Sequence, residues 1–225
     1  MIMKNKAGDY YTQSRLEMLP LVPAEARRIL EVGCGSGVFL RSLERDDREL
    51  WGMDINAEMA EPAREVCHRL LIGDAMQLLG ELPDGYFDCI VFNDVLEHLA
   101  WPGKLLRKIR GKLGAGGCIV ASIPNIRYIG VLVTGLLWHK DFCYTPEGGV
   151  LDDTHLRFFT RRSMRRLIEQ SGYEVCSCQG IRPCKSWKEK LFIALSLGVL
   201  SDARYKCFAW TARLSANPSK GPEYL

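Results

Sequence analysis

Apolar residues in this chain come in short, nearly unbroken runs, separated by amphipathic stretches and by turns rich in glycine or proline. Ile29, Leu30 and Val32 form the first run and stop at glycines, which reads as a buried strand entering a turn. Runs at 50–53, 70–72, 87–92 and 118–123 have the same character and end at Asp54, Asp74, Asn93-Asp94 and Pro124. Between them, residues 38–43, 57–66 and 102–113 read as helices, with Pro62 and Pro102 near the starts, where a missing N–H is tolerated. Strands that are apolar throughout and alternate with helices belong to a parallel sheet covered on both faces. The predicted fold is α/β and doubly wound.

After Pro124 the alternation lapses over residues 125–160. That is longer than an ordinary connection and is expected to be a lid or acceptor-binding insertion after strand 5. The rhythm resumes with Thr160 capping a helix to Ser171, a strand at 173–178, an apolar helix at 188–200 and a last strand at 205–214. The chain is expected to be a single domain over 1–225, with 1–26 as an N-terminal cap and 215–225 as a loose tail.

Composition narrows the function classes. With 225 residues, 47% hydrophobic and 25% charged, the chain is long enough to fold without a disulfide or metal staple. Thirty Lys+Arg against 27 Asp+Glu leave a net charge of +3, too little field to suggest a nucleic-acid partner. Nine cysteines without paired CxxC spacing favour free thiols in a reducing compartment, so a cytoplasmic location is expected. Cys176, Cys178 and Cys184 read as small apolar residues rather than metal ligands. The apolar stretches at 128–138 and 191–200 are about half the ~20 residues that a membrane helix requires, and the N-terminus lacks a signal peptide's apolar core.

Chemistry concentrates at Glu31-Val32-Gly33-Cys34-Gly35-Ser36-Gly37, where strand meets helix. Glycines admit a ligand close to the backbone, and a helix N-terminus offers it free N–H groups. The dinucleotide fingerprint Gly-x-Gly-x-x-Gly is not met, because its third glycine position is Val38 and Gly37 falls one residue early. A nicotinamide enzyme is therefore disfavoured.

The turn instead resembles motif I of the class I S-adenosylmethionine (SAM) methyltransferases, and the resemblance continues in order. Asp54-Ile55 ends the second strand, where that family's acid accepts the ribose hydroxyls; Asp74-Ala75 ends the third, where adenine is read; Asn93 ends the fourth, beneath the methionine moiety. The resemblance implies SAM as cofactor and S-adenosylhomocysteine as product. They would be held by Glu31, Gly33, Cys34, Gly35, Gly37, Asp54, Ile55, Asp74, Ala75 and Asn93, with Arg15, beside Tyr10 and Tyr11, meeting the carboxylate. It also implies a mostly parallel seven-stranded sheet whose last strand, 205–214, is antiparallel. Stretches 87–99 (FDCIVFNDVLEHL), 122–128 (SIPNIRY) and 151–173 are similar to a subgroup found alongside bacterial glycosyltransferases in surface-polysaccharide synthesis. That implies a carbohydrate or glycoconjugate acceptor. A quinone or phenol acceptor and a non-catalytic SAM-binding partner of a polysaccharide assembly are the alternatives.

A sulfonium donor is already activated, so the protein must supply approach geometry, a dry site and a base for a poorly acidic hydroxyl. Asp94, His98 and His155 are the candidate catalytic residues, with His155 the favoured base because imidazole titrates near neutrality. Asp94, Glu97 and His98, at i, i+3 and i+4, would share a helix face. A similar acid-x-x-Glu-His pattern, completed by a later His, binds a divalent metal in small-RNA 2′-O-methyltransferases. It makes Asp94, Glu97, His98 and His155 a candidate Mg²⁺ or Mn²⁺ set, with the metal-free reading favoured because Asp94 is shorter than the usual Glu. Arg161, Arg162, Arg165 and Arg166 read as a solvated face or as a contact for a phosphate-bearing acceptor. The 188–200 helix is expected to pack in the core or in a homodimer, with a membrane-surface contact as the alternative.

Overall fold

The computed structural model describes residues 14–141, 144 and 148–216. Seven strands, β1 (Arg28–Val32), β2 (Glu49–Asp54), β3 (Arg69–Ile72), β4 (Phe87–Asn93), β5 (Leu113–Pro124), β6 (Tyr173–Pro183) and β7 (Tyr205–Leu214), form one sheet in the order β3-β2-β1-β4-β5-β7-β6. β1 to β5 pair in parallel, and β7 lies antiparallel between β5 and β6. The helices are α1 (Val38–Arg41), α2 (Ala57–Ala60), α3 (Ala75–Leu78), α4 (Pro102–Ile109), α5 (Arg161–Gln170) and α6 (Trp187–Leu195).

The apolar runs are strands because both faces of the sheet are covered. Leu30, Val32, Ile90, Phe92, Ile119 and Ala121 enter one layer with Leu105, Leu106 and Ile109 of α4 and Met164, Leu167 and Ile168 of α5. Their alternates Ile29, Cys89, Val91, Cys118 and Val120 enter the other layer, with Met18, Phe39, Leu40 and Ala63. The order reverses between β1 and β4, so a crevice opens there at the carboxyl ends of the strands.

Several boundaries differ from expectation. The 57–66 helix divides into α2 and a 3₁₀ segment, Glu61–Glu65, at Pro62, which has no N–H to continue the ladder. The 102–113 helix stops at Ile109, and β5 begins at Leu113, before the glycines; Gly116, at φ 76°, and a register shift between Phe87 and Cys89 mark the irregularity. β6 continues to Pro183, and α6 ends at Leu195, where Leu197 (φ 51°) and Gly198 (φ 90°) reverse the backbone. Thr160 caps α5 as expected, in a capping box with Ser163.

The 125–160 excursion is pinned at its ends by pairing of Asn125 with Phe159, and it contains a π-helical segment, Gly130–His139. Of the N-terminal cap, a 3₁₀ segment, Leu16–Leu21, buries Met18; Tyr10, Tyr11 and most of the tail lie outside the described residues. The described cysteines are free thiols. Among the described residues, no helix is long and apolar enough to cross a membrane.

Candidate functional site

Gly33, at φ 75°, turns the chain out of β1, and its N–H donates to Met53 O at 2.7 Å. A Cβ on Gly33 would stand 2.4 Å from Val95 Cγ2, and one on Gly37 would stand 2.8 Å from Ala63 Cβ, so both glycines are required by close approach as well as by φ. Asp54 closes the turn: Oδ2 accepts from Gly35 N at 2.8 Å and Oδ1 from Asn56 N at 2.9 Å. A carboxylate has about four acceptor sites, so these bonds leave room for a ligand's hydroxyls. Burial, and secondarily the Glu31 charge, push the Cys34 thiol pKa up, which removes it as a nucleophile.

A cavity of about 350 Å³ lies over this turn. Glu31, Gly33, Cys34, Gly35, Asp54, Ile55, Asp74, Ala75 and Asn93 all line it, together with Arg15, Asp94 and His98. Asn93 Nδ2 donates to Glu31 Oε1 at 2.7 Å, while Glu31 Oε2 and Asn93 Oδ1 are buried without a partner. Burial, and secondarily the Asp54 charge, push the Glu31 carboxyl up to about 8, against the lowering effect of Asn93. Asp74 Oδ1 caps α3 by accepting from Met76 N at 2.8 Å and Gln77 N at 3.3 Å. Gly37 lies beneath the turn rather than on the cavity wall.

The expected shared face of Asp94, Glu97 and His98 does not form. Asp94 sits at φ 52°, ahead of a 3₁₀ turn, Leu96–His98, so its side chain diverges from the other two. It pairs with Arg15 and accepts from Ser122 Oγ. Glu97 and His98 instead converge on His155, with their ligand atoms within 4.8 Å of one another. His155 Nδ1 donates to Val150 O at 3.1 Å and His98 Nδ1 to Thr154 O at 3.2 Å; a carbonyl only accepts, so both rings carry the proton on Nδ1 and present Nε2 as the acceptor. His98 is on the cavity wall and His155 is behind it, with ring centroids 4.7 Å apart. Burial and the neighbouring His155 lower the His98 pKa, which keeps it neutral. Glu97 is 1% exposed, its oxygens have no hydrogen-bond partner although His155 Nε2 stands 3.9 Å from Oε1, and burial raises its pKa well above the carboxylate range.

Against known families, residues 3–177 match the model described as a methyltransferase domain. The chain belongs to this family. A ubiquinone biosynthesis O-methyltransferase from Vibrio parahaemolyticus is 24% identical over 152 residues, covering 64% of this chain and 63% of that protein. Another from Aeromonas salmonicida is 27% identical over 166 residues, covering 69% and 66%. The chain thus spans slightly less than two thirds of the length of these relatives. A SAM-dependent methyltransferase from Archaeoglobus fulgidus shares the fold, with a TM-score of 0.68 and 22% identity over 91% of this chain and 93% of that one.

In this methyltransferase domain Gly33 and Gly35 of the glycine turn and the three strand-end residues Asp54, Asp74 and Asn93 line one cavity. Three wall or anchor residues fall inside the resembling stretches without a role of their own there: Ser122, which holds Asp94; Thr154, which holds His98; and Val95, which packs on Gly33. Glu97, His98 and His155 form a set with the chemistry of a divalent-metal site, two imidazoles and a buried carboxyl that has no hydrogen-bond partner. The four arginines at the start of α5 are exposed, with Arg165 paired to Glu169 and Arg161 over the Phe208 ring, and none lines the cavity.

Proposed function

We propose that the protein binds SAM in this cavity and transfers its methyl group to a hydroxyl oxygen. The observation that carries the reading is the pair of unpartnered acceptors, Glu31 Oε2 and Asn93 Oδ1, beside the glycine turn. They suit the ammonium of the methionine moiety. Asp54 then takes the ribose hydroxyls, Ile55 and Ala75 flank the adenine, and Arg15, held by Asp94, meets the carboxylate.

The acceptor would be a carbohydrate or glycoconjugate. His98 supports this, because a sugar hydroxyl is weakly acidic and needs a base, and His98, with Nδ1 turned to Thr154 O, lines the cavity. His98 would take the hydroxyl proton as oxygen attacks the methyl carbon in line and the thioether leaves. His155 and Glu97 would orient it from behind, without a metal. A phenolic or quinol acceptor is the second reading, favoured by the relatives named ubiquinone biosynthesis O-methyltransferases. Residues 125–160 would close on the acceptor, since Thr154 reaches the cavity from that excursion.

The test is calorimetry with S-adenosylhomocysteine followed by transfer of labelled methyl to panels of nucleotide sugars, glycans and catechols. Tight NAD binding without S-adenosylhomocysteine binding would refute the reading. Cofactor binding with no transfer to any panel would instead favour a non-catalytic SAM-binding role.

A further inference from the structure

Between β6 and β7 the chain leaves the sheet over residues 184–204, and this excursion buries little of its apolar content. α6 has no buried residue. One side of the excursion is held by a small cluster in which Ile193 and Leu200 meet Ile129, Cys184 and Ala203. The rest stands in solvent: Trp187 is 69% exposed, Leu195 72%, Leu197 94% and Val199 73%, with Leu191 and Phe192 also exposed. From Leu191 to Ser201 there is no charged residue. The expected core packing of this helix is therefore not what the structure shows.

The charges around these side chains are sorted by sign. Lys185, Lys188 and Lys190 are exposed. The acids of the excursion are not fully exposed: Asp202 pairs with Arg127 at 3.1 Å, and Glu189 is half-buried near Tyr128, whose phenol pKa is raised by burial and secondarily by the Glu189 charge. The outward face is thus apolar and positive.

We propose that residues 184–204 dock the protein onto an anionic lipid bilayer. Anionic headgroups complement the lysines while Trp187 and the leucines enter the headgroup–acyl boundary, and the lysine stems can lie along the apolar surface. A second copy fits less well. A two-fold contact places the same patch on both sides, bringing lysines together with no fully exposed acid among residues 184–204 to answer them. At nine residues α6 lies on a membrane and does not span one. The excursion is tied to the carboxyl-end rim of the sheet, where Asn125 Nδ2 donates to Asp202 O and Tyr205 O at 3.0 Å. That rim also carries the cavity, so a bound bilayer would lie on the side from which a lipid-borne acceptor approaches.

The test is sedimentation of the full protein with phosphatidylcholine vesicles, with and without added phosphatidylglycerol. Three lysines near an anionic surface should tighten binding by roughly 100-fold over neutral vesicles, with loss of that preference at high salt. Leu195→Asp/Leu197→Asp should abolish binding, and Lys188→Glu/Lys190→Glu should abolish the preference for phosphatidylglycerol. Both variants should keep wild-type affinity for S-adenosylhomocysteine, because none of these residues lines the cavity. A blue shift of emission on vesicle binding, absent in Trp187→Phe, would place that ring in the boundary. Equal affinity for both vesicles, no binding to either, or a dimer that Leu195→Asp/Leu197→Asp splits would overturn the proposal. Vesicle binding by a protein that fails to bind S-adenosylhomocysteine would leave it standing and remove the methyl-transfer reading instead.

Discussion

Asn93 donates from Nδ2 to Glu31 Oε1 at 2.7 Å, joining the ends of β4 and β1 across the point where the strand order reverses. The bond consumes one acceptor and one donor and leaves Glu31 Oε2 and Asn93 Oδ1 buried and unpartnered. Unpaired buried polar atoms of this kind are costly in the free protein and, once Glu31 gives up its proton, favour a cationic donor.

Binding should therefore be linked to a proton. Glu31 holds its proton up to about pH 8 in the free protein, against an ordinary value of 4.5. An ammonium binds the carboxylate form, so affinity for S-adenosylhomocysteine should rise with pH, by at most ~10-fold per unit, and level off above about 8. Glu31→Gln should abolish the slope. For folding the sign is opposite: a raised folded pKa gives stability that is present below 4.5 and lost as pH rises through about 8. Ligand-free Glu31→Gln should then melt higher than the wild type at pH 9 and alongside it near pH 4.

Asp54→Ala removes bonds to Gly35 N and Asn56 N as well as the proposed acceptor for the ribose hydroxyls. A charged hydrogen bond contributes roughly 1.5–3 kcal/mol, so calorimetry should show S-adenosylhomocysteine binding weakened by about 10- to 150-fold, with a lower melting temperature.

Gly33→Ala should disrupt the turn through two separable effects. The new Cβ meets Val95 Cγ2 at 2.4 Å, and the residue stays at φ 75°. Adding Val95→Ala should recover part of the lost cofactor affinity but not all of it, because an L side chain at positive φ costs roughly 1 kcal/mol.

If the site works without a metal, His98→Ala should lower turnover by ~10²–10⁴-fold with little change in cofactor affinity, and EDTA should do nothing. Glu97→Gln should then keep near-normal turnover, since the carboxyl is already uncharged. Loss of activity on chelation, restored by Mn²⁺ and mimicked by Glu97→Gln, would show that Glu97, His98 and His155 serve a metal instead.

Replacing the 125–160 excursion with a short linker should abolish transfer while cofactor affinity stays within a few fold. The glycine turn, Asp54 and Asn93 all lie outside it. Loss of S-adenosylhomocysteine binding in a folded variant would show that Thr154 and its neighbours build the cofactor half of the site as well.

The sequence by itself determined the layered α/β plan and the glycine-turn wall of the cavity. These signals are local: short apolar runs alternating with helices give buried parallel strands, a glycine-rich turn marks itself by residue type, and parallel strands bring their carboxyl-end residues to one rim. Tertiary structure decided which of the later polar residues act together. Asp94, Glu97 and His98 look like one helix face on spacing alone, but positive φ at Asp94 sends its carboxylate to Arg15 and Ser122. Glu97 and His98 meet His155 because the excursion after β5 folds back, with Leu156 N and Arg157 N donating to Glu97 O at 2.9 and 3.0 Å. Partnerships between residues far apart in the chain are fixed by where the backbone reverses, and no periodicity encodes that. The same holds for 184–204, whose apolar pattern reads as core until the structure shows which way it faces.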